Sequence, residues 1–374
     1  MTGTAHPALR ILCVTNMFPG PEAPDLGVFV RDMCGALADR GHRVDVVGIT
    51  TRSRGRVRTP AKYLSLAART LPRVRRADVL YAHGLLPAGT VAGLWGRALH
   101  RPWVVTAHGQ DVANLRIGPV RAASLPAVRG AAGLVAVSGW LRDEIRRSGL
   151  PMPRTEVIDM GVDLDRFTPG ERAAARTALG LPPEGPVVLA AGSLIPRKDP
   201  LALVRAVASA RAAVPGLRLA LIGDGPLRAA VRAAADTSGL GHAVHLAGVV
   251  PHADVPVWMR ACDVLAVASR VEPLGQVALE ALACGRPVVA TAHGGTAEVV
   301  TPGVGRVVDP GDTPALAAAI ADLVVDPPAP DTCRRVAAGH ALAVQAARVE
   351  ALLAAAAATR AGGGPPAHAA PADR

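Results

Sequence analysis

Short apolar runs rich in valine recur along the chain, separated by longer alanine-rich stretches with helical spacing. Within each run the apolar residues are continuous rather than alternating, which is typical of parallel strands buried between two layers of helices. The runs of the first half lie at 10–16, 43–50, 78–84, 102–109, 133–138 and 156–163. Those of the second half lie at 186–194, 217–225, 243–250, 263–269, 287–291 and 305–310. The pattern predicts an α/β fold with two doubly wound, Rossmann-like domains.

A segment rich in proline and glycine, "FTPGERAAARTALGLPPEGP", separates the two sets of strands. The predicted organisation is an N-terminal domain over 1–167, a linker over 168–185, a second domain over 186–330, a helical segment over 331–358 and a disordered tail over 359–374. Because ligands bind at the carboxyl ends of parallel strands, two such domains are expected to face each other across a cleft.

The composition narrows the class of protein. Aromatic residues make up only 2% of the chain, so the cores must consist of alanine, valine and leucine, and stacking of bases on aromatic side chains is not expected. Five cysteines without a CxxC pair argue against a disulfide framework or a zinc site. The first residues lack the pattern of a signal peptide, and no stretch is a convincing membrane span. We therefore expect a cytoplasmic protein, soluble or peripheral to the membrane.

The net charge of +11 is concentrated in the first half. Residues 1–165 contain 22 Lys and Arg against 13 Asp and Glu, whereas the rest of the chain has 19 against 17. Residues 52–76 hold nine of these cations and no acid. Such a run can attract an anionic membrane surface or a phosphate-bearing partner, although a solvated basic face would show the same pattern. No nucleic-acid partner is expected.

Candidate chemistry follows two of the predicted strands in the second half. Glu272 comes shortly after the run at 263–269, and Glu280 lies about one turn inside the helix that follows. Arg197 and Lys198 come just after the run at 186–194, and lysine occurs at only one other position in the chain. Adjacent cations at the end of a strand and before a helix are suited to binding a diphosphate.

The motifs around these residues resemble those of retaining glycosyltransferases of family four, which have the GT-B fold. The motifs in the second half are "AAGSLIPRKDP", "LIGDGPLR", "SRVEPLGQVALEALACGRPVVAT" and "GGTAEVV", and those in the first half include "DLGVFV", "VVTAHGQDV" and "VIDMGVDLDRFTP". The resemblance covers about residues 10–330. It is nearest to transferases that build bacterial cell-surface polysaccharides such as teichuronic acid.

The resemblance implies transfer of a sugar from a UDP- or GDP-sugar to the hydroxyl group of a sugar or lipid-linked acceptor. The anomeric configuration would be retained, and no metal or other cofactor would be needed. Glu272 and His108 are the implied catalytic residues, and Asp111 lies beside His108 on the acceptor side. The implied donor-binding residues are Gly27, Gly192, Ser193, Arg197, Lys198, Val250, Leu274, Gly275 and Glu280, of which Glu280 would hold the ribose.

The sequence departs from the family pattern at Ser193, where arginine is frequent. A nicotinamide-dependent oxidoreductase is disfavoured because no complete GxGxxG fingerprint follows the first predicted strand. Two alternatives to a transferase stay open at this point. One is a sugar-nucleotide epimerase of the same fold, and the other is a non-catalytic protein that binds nucleotide-sugars.

Overall fold

A computed structural model describes residues 7–52 and 58–361. These residues form two compact units. The first unit contains the described residues up to Val137, the segment Leu141–Ile158 and the described residues from Ala346 onward. The second unit contains Ser138–Trp140 and Asp159–Gln345.

The first unit is built on a parallel sheet. Its strands are β1 (Arg10–Thr15), β2 (Arg43–Gly48), β3 (Val79–His83), β4 (Trp103–Ala107), β5 (Gly133–Ala136) and β6 (Thr155–Val157). They are ordered β2-β1-β3-β4-β5-β6, and every neighbouring pair is parallel. The helices in this part of the chain are α1 (Val28–Asp39), α2 (Arg58–Val74), α3 (Thr90–Ala98), α4 (Gln110–Ala113), α5 (Gly118–Val128) and α6 (Gly139–Arg147).

The second unit repeats this architecture. Its strands are β7 (Val187–Ala191), β8 (Arg218–Ile222), β9 (Val244–Gly248), β10 (Val264–Val267), β11 (Val288–Thr291) and β12 (Gly305–Val308). They form a parallel sheet in the order β12-β11-β10-β7-β8-β9. The helices are α7 (Arg172–Ala178), α8 (Pro200–Ala210), α9 (Arg228–Thr237), α10 (Val255–Ala261), α11 (Gln276–Ala283), α12 (Thr296–Val299), α13 (Thr313–Val325) and α14 (Pro330–Gly339).

All twelve predicted strands are present, and their burial follows their place in the sheet. Every residue of β3 and β4 is buried because helices cover both faces of the sheet centre. The edge strands β2 and β12 are partly exposed. Two core layers cover the opposite faces of the second sheet, one around Leu279 and Leu282 and the other around Leu203 and Leu219. The predicted α/β, doubly wound architecture is confirmed.

The limits of the units differ from the predicted domain limits. The second unit takes over at Asp159, before the predicted boundary at 167. The predicted linker 168–185 contains α7, which packs with its buried Ala175 in the core of the second unit. The predicted helical segment 331–358 is divided between α14, in the second unit, and a last helix, α15 (Leu342–Ala361). Residues 362–374 of the predicted tail lie outside the described residues.

Most of α15 belongs to the first unit. Leu352 packs over β5, where a Cβ atom on Gly133 would lie 3.0 Å from Leu352 Cδ1. The carboxylate of Glu350 accepts hydrogen bonds from Arg40 and from the buried His42. Among the described residues, Leu342–Thr359 is the one segment long and apolar enough to cross a membrane by length and composition, with a mean hydropathy of 1.3. From Ala346 onward this segment packs against the core of the first unit.

Candidate active site

The second sheet has a switch point at which the order of its strands reverses. β7 lies beside β10, and on the two sides of this pair the chain continues in opposite directions across the sheet. Loops that leave adjacent strands in opposite directions open a crevice, and ligands of open parallel sheets bind there. Lys198 follows β7 and Glu272 follows β10. The fold therefore brings these two predicted site residues to one switch point.

Lys198 and Glu272 form an ion pair at this switch point. Lys198 Nζ donates a hydrogen bond to Glu272 Oε2, and Ser269 Oγ donates to the same oxygen at 3.1 Å. Burial alone would raise the pKa of Glu272. The adjacent ammonium group of Lys198 and its hydrogen bond, followed by Arg197 and Ser269, outweigh that effect and hold the pKa below its ordinary value. The carboxylate is therefore ionised at neutral pH.

A strained turn holds Lys198 in place. Lys198 is the last residue of a single 3-10 turn, and Asp199 follows it with a left-handed backbone at φ 43°. The Asp199 carboxylate caps α8 by accepting from the amide of Ala202 at 3.3 Å, and it also accepts from Arg270 Nε at 2.9 Å. Left-handed backbone at a residue other than glycine costs free energy, so these contacts offset a local strain. They fix the direction in which Lys198 leaves the turn.

The other predicted residues after β7 surround the same crevice. Gly192 and Ser193 are exposed and line a pocket of about 390 Å³, including its open mouth, together with Lys198 and Ser269. Arg197 lies beside the pocket, but its guanidinium donates to the carbonyl oxygen of Val271 at 2.9 Å. The structure thus brings Gly192, Ser193 and Lys198 together around one opening. Arg197 braces the loop that carries Glu272.

The start of α11 is a second group of hydrogen-bond donors at this edge of the sheet. Gly275 immediately precedes the helix, and no side chain caps the first turn. The amide of Ala278 donates to the carbonyl oxygen of Gly275 at 2.8 Å, which leaves the amides of Gln276 and Val277 at the positive end of the helix dipole. Leu274 is half-buried beside them. This arrangement suits an anionic group such as a phosphate.

Glu280 lies one turn further along α11 and is buried. Its Oε1 atom lies 3.3 Å from His252 Nε2. Val250, two residues before His252, is half-buried and packs against the core cluster that contains α11. The structure therefore places Val250 and Glu280 on the same side of the second unit. His252 was not identified from the sequence, because nothing in the spacing of residues shows that this loop returns to α11.

A glycine that the sequence motif contained, but to which we assigned no role, sets the path of the Glu272 loop. Gly294 follows β11, and a Cβ atom on it would lie 2.1 Å from the carbonyl oxygen of Glu272. The amide of Glu272 donates to the carbonyl oxygen of His293 at 3.1 Å. Only glycine allows these two backbone segments to approach so closely. The two adjacent glycines of the motif "GGTAEVV" were the sequence feature that could have indicated this close approach of two backbone segments.

The first unit has its own switch point, between β1 and β3. Gly27 lies on the loop after β1, at the start of α1, and a Cβ atom there would lie 2.4 Å from the carbonyl oxygen of Met17. With φ 66°, this position favours glycine on conformational grounds as well. His83 ends β3, and His108 follows the neighbouring β4. Both histidines are thus near the carboxyl ends of central strands.

His83 and His108 form a pair of neutral imidazoles. His83 Nδ1 lies 3.1 Å from His108 Nε2, and the two rings are stacked with centroids 5.3 Å apart. Removal from water lowers the pKa of His108 to about 4, against an opposing effect of Asp111. Burial, followed by the neighbouring His108, lowers the pKa of His83 well below its ordinary value. One of the two facing nitrogen atoms therefore carries a proton at neutral pH and donates it to the other.

Asp111 lies in the first turn of α4, shortly after β4. Its carboxylate accepts hydrogen bonds from the backbone amides of Leu85 at 3.0 Å, His108 at 3.1 Å and Gly109 at 2.8 Å. These bonds tie the loop that carries His108 to the loop after β3. Asp111 is therefore occupied by backbone donors, and besides its electrostatic effect on the pKa of His108 it fixes the backbone that holds His108.

The part of the chain that the structure describes contains no group of three or more His, Cys, Asp or Glu side chains arranged to hold a metal ion. The cations beside the switch point of the second sheet are Lys198, Arg197 and Arg270, which favour anionic ligands. The arrangement as a whole can bind a diphosphate through cations and helix N–H groups, and it can hold hydroxyl groups through Glu272 and Glu280.

Comparison with known families assigns both halves of the chain. The family described as "Glycosyltransferase Family 4" matches residues 26–166, and "Glycosyl transferases group 1" matches residues 171–339. A GDP-mannose-dependent α-(1-6)-phosphatidylinositol monomannoside mannosyltransferase of Mycolicibacterium smegmatis is 37% identical over 347 residues, covering 85% of this chain and 90% of that protein. A D-inositol 3-phosphate glycosyltransferase of Thermobispora bispora is 34% identical, and the match covers 82% of this chain and 75% of that protein.

Solved structures share the fold. HepE of Anabaena in complex with UDP-glucose superimposes with a TM-score of 0.74 at 24% identity, covering 92% of this chain and 98% of that one. Sucrose-phosphate synthase of Thermosynechococcus elongatus gives a TM-score of 0.71 at 25% identity, and the match covers 94% of this chain and 98% of that one. The relatives named here are transferases, which favours transfer over the epimerase and binding-only alternatives. The chain belongs to glycosyltransferase family 4 and is a glycosyltransferase of the GT-B fold that uses a nucleotide-sugar donor.

Proposed function

We propose that the enzyme transfers mannose from GDP-mannose to an inositol-containing acceptor, with retention of the anomeric configuration. The mannosyltransferase of Mycolicibacterium smegmatis supports this donor, since the identity of 37% extends over 90% of its length. The inositol phosphate glycosyltransferases support an acceptor with an inositol ring. A cell-surface polysaccharide of the teichuronic-acid type is the second class of product to test.

The observation that carries the proposal is the ion pair of Lys198 with Glu272 at the switch point of the second sheet. Departure of a nucleoside diphosphate leaves negative charge on the phosphate oxygens, and a fixed cation stabilises that charge in the transition state. An ammonium group has three N–H donors, of which Glu272 takes one. The other two are available to the diphosphate, together with the amides of Gln276 and Val277 at the start of α11 on the same edge of the sheet.

The remaining residues have complementary roles in this proposal. Glu272 accepts hydrogen bonds from hydroxyl groups of the donor sugar, and its ionised carboxylate stabilises positive charge that develops at the anomeric carbon. Glu280 accepts hydrogen bonds from the ribose. The backbone of Val250 contacts the base, and Gly27 lets the backbone of its loop approach the donor. His108 is neutral at pH 7 and hydrogen-bonds the reacting sugar or the acceptor.

We further propose that neither a metal nor another cofactor takes part. Lys198 and the α11 terminus supply the positive charge that a divalent cation would otherwise provide for a leaving diphosphate. Turnover in 10-fold molar excess of EDTA over total divalent metal should then equal turnover in added Mg²⁺ or Mn²⁺. A loss of turnover in EDTA that Mg²⁺ restores would contradict metal independence.

A donor and acceptor screen tests the proposed reaction. Purified enzyme is incubated with GDP-mannose or UDP-glucose, and with phosphatidylinositol monomannoside, D-inositol 3-phosphate or no acceptor, and the products are identified by mass spectrometry. We expect a mannosylated inositol lipid with GDP-mannose. A product that forms with UDP-glucose but not with GDP-mannose would overturn the donor assignment. Nucleotide release that does not depend on any acceptor would overturn the acceptor assignment.

The exposed face of α2 supports a cytoplasmic enzyme that docks on the anionic surface of the membrane. Leu64 is 72% exposed and Leu71 is 38% exposed one heptad further on, so both lie on one face of the helix. Arg69 and Arg73 are also exposed, and the helical spacing places them toward the opposite side of α2 from the two leucines. Exposed leucines on one face of a helix and arginines on another are typical of helices that lie in the interface of an anionic bilayer. Residues 53–57 of the basic run 52–76 lie outside the described residues.

Sedimentation with vesicles across a salt series tests this docking. We expect binding to vesicles with 30% phosphatidylinositol, weaker binding at high salt, and reduced binding of a Leu64→Ser, Leu71→Ser variant. Val325→Ser provides the control, because Val325 is also 72% exposed but lies in the second unit. Equal binding to neutral and anionic vesicles would contradict the proposal.

A further inference from the structure

Three side chains of the second unit form a line of hydrogen bonds that ends at Glu280. Arg166 NH1 lies 3.2 Å from His252 Nδ1, and His252 Nε2 lies 3.3 Å from Glu280 Oε1. The edge of the Phe167 ring packs against the His252 imidazole, with ring centroids 5.7 Å apart. Asp163 pairs with Arg166 NH2 at 3.1 Å and holds the guanidinium in place. Both ring nitrogen atoms of His252 are therefore engaged in hydrogen bonds, which fix the orientation of the imidazole.

The chemistry of these groups determines the direction of each hydrogen bond. A guanidinium has only donors, so Arg166 must donate and His252 Nδ1 must accept. A neutral imidazole with a free lone pair on Nδ1 carries its proton on Nε2. His252 Nε2 therefore donates to Glu280 Oε1. Arg166 sets the tautomer of His252, and His252 in turn engages one of the two oxygen atoms of Glu280.

The second oxygen of Glu280 remains available. Glu280 Oε2 has no hydrogen-bond partner among residues 7–52 and 58–361, although the side chain is only 6% exposed. A buried carboxylate with one oxygen held by a fixed donor has a defined orientation, because rotation about its last bonds would break that hydrogen bond. Its free oxygen can then accept from hydroxyl groups of a ligand in one geometry.

We propose that His252 is a positioning residue, which holds Glu280 so that its free oxygen accepts hydrogen bonds from the 2′- and 3′-hydroxyl groups of the donor ribose. This inference rests on the proposed role of Glu280 in donor binding. It adds that the loop after β9 controls recognition of the ribose through His252, without itself touching the ribose. Arg166 acts one step further away, by selecting the tautomer of His252.

Nucleotide binding tests the proposal without any need for turnover. Calorimetry measures the affinity for GDP or UDP, whichever the wild type binds more tightly, and for the matching 2′,3′-dideoxy nucleotide. We expect His252→Ala to bind the ribonucleotide about 10-fold more weakly, in line with the loss of one hydrogen bond to a charged group. Affinity for the dideoxy nucleotide should change by less than about 2-fold, since that ligand lacks the hydroxyl groups that Glu280 recognises.

Two further variants separate positioning from a general effect on folding. His252→Gln retains an acceptor for Arg166 and a donor for Glu280, so it should keep the discrimination between the two nucleotides to within about 3-fold of wild type. His242→Ala replaces an exposed histidine in the single turn before β9 and should bind both nucleotides as the wild type does.

Four results would overturn the inference. Equal weakening of both nucleotides by His252→Ala would mean that the loss is general, and unchanged affinity for the ribonucleotide would mean that His252 is not needed. In either case the proposed donor site would stand, because the wild type would still bind and discriminate. A wild-type enzyme that bound neither nucleotide, or bound both equally, would overturn the proposed role of Glu280 and the inference with it.

Discussion

Gly294 and Glu272 approach each other so closely that a side chain on Gly294 has no space: its Cβ atom would lie 2.1 Å from the carbonyl oxygen of Glu272. This contact joins the loop after β11 to the loop after β10, and it determines where the Glu272 carboxylate meets Lys198. The position of a residue in the proposed catalytic centre thus depends on the backbone of a residue that makes no chemical contribution of its own.

Gly294→Ala should therefore reduce activity more than stability. The alanine meets backbone and also has φ 135°, which costs about 1–3 kcal/mol for a residue other than glycine. Displacement of Glu272 by about 1 Å should lower kcat/KM by about 100-fold. Gly303→Ala is the control, since a Cβ atom there would meet nothing within 4 Å. Equal kcat/KM for the two variants in a transferase assay would contradict this prediction.

Removal of the Lys198 ammonium group should damage both catalysis and folding. Lys198→Ala should lower kcat by about 10²–10³-fold, the typical effect of losing one preorganised group that stabilises transition-state charge. The nearly buried Glu272 is left without its partner, which should lower the free energy of unfolding by roughly 3 kcal/mol. Arg205→Ala, an exposed cation on α8, should match the wild type in both steady-state kinetics and urea unfolding.

The stability difference between wild type and Lys198→Ala should depend on pH. In the wild type the pKa of Glu272 is below its ordinary value of 4.5, so its contribution is present above that pH and is lost as the pH falls through the folded-state pKa. In the variant the effect of Lys198 is lost, and burial is opposed only by Arg197 and Ser269, so the pKa of Glu272 is higher than in the wild type. Urea unfolding from pH 3 to pH 7 should show a gap that widens with pH, and a constant gap would contradict the ion pair as its cause.

The two histidines of the first unit should make the enzyme sensitive to acid. Their folded-state pKa values are lowered, to about 4 for His108, so unfolding allows both to take up protons below the ordinary histidine value of 6.5. Stability is then complete above pH 6.5 and falls by roughly 1.4 kcal/mol per pH unit for each imidazole as the pH drops toward 4. His83→Gln should reduce this slope by roughly 1.4 kcal/mol per pH unit, the contribution of one imidazole. The control His242→Gln, at an exposed position, should leave the slope unchanged.

The attachment of α15 to the first unit depends on Glu350. Glu350 is 5% exposed and holds both Arg40 and the buried His42, so Glu350→Ala leaves an imidazole and a guanidinium without their acceptor. We expect a loss of roughly 2 kcal/mol in the free energy of unfolding, mostly from the buried His42 donor, because the Arg40 guanidinium is 39% exposed and can bind water instead. Glu184→Ala is the control because Glu184 is exposed. An unchanged urea midpoint for Glu350→Ala would show that α15 does not need this contact.

The strands were predictable because burial on both faces leaves continuous apolar runs, and this signal is local. The site was predictable in part for the same reason: Lys198 and Glu272 each follow such a run, and the order of strands then brings them together. Contacts made by the return of a distant loop leave no such trace. His252 reaches Glu280 across 28 residues, and the sequence around it contains nothing to show that contact.

The limits of the domains were less accessible for a related reason. A proline- and glycine-rich segment indicates a loop, but α7 within it carries Ala175 and a nearly buried Arg176 that pack in the second unit. Likewise, the alanine-rich composition of α15 does not indicate which unit the helix packs against. Its assignment depends on Glu350 meeting Arg40 and His42, some 310 residues earlier in the chain.

That long-range attachment of α15 has a practical consequence for engineering. A chimera that exchanges the N-terminal half between relatives by a single crossover near Ile158 would join a foreign sheet to a native α15, and Glu350 and Leu352 would face unmatched side chains. Residues from Ala346 onward should therefore be exchanged together with the N-terminal half, using two crossover points instead of one.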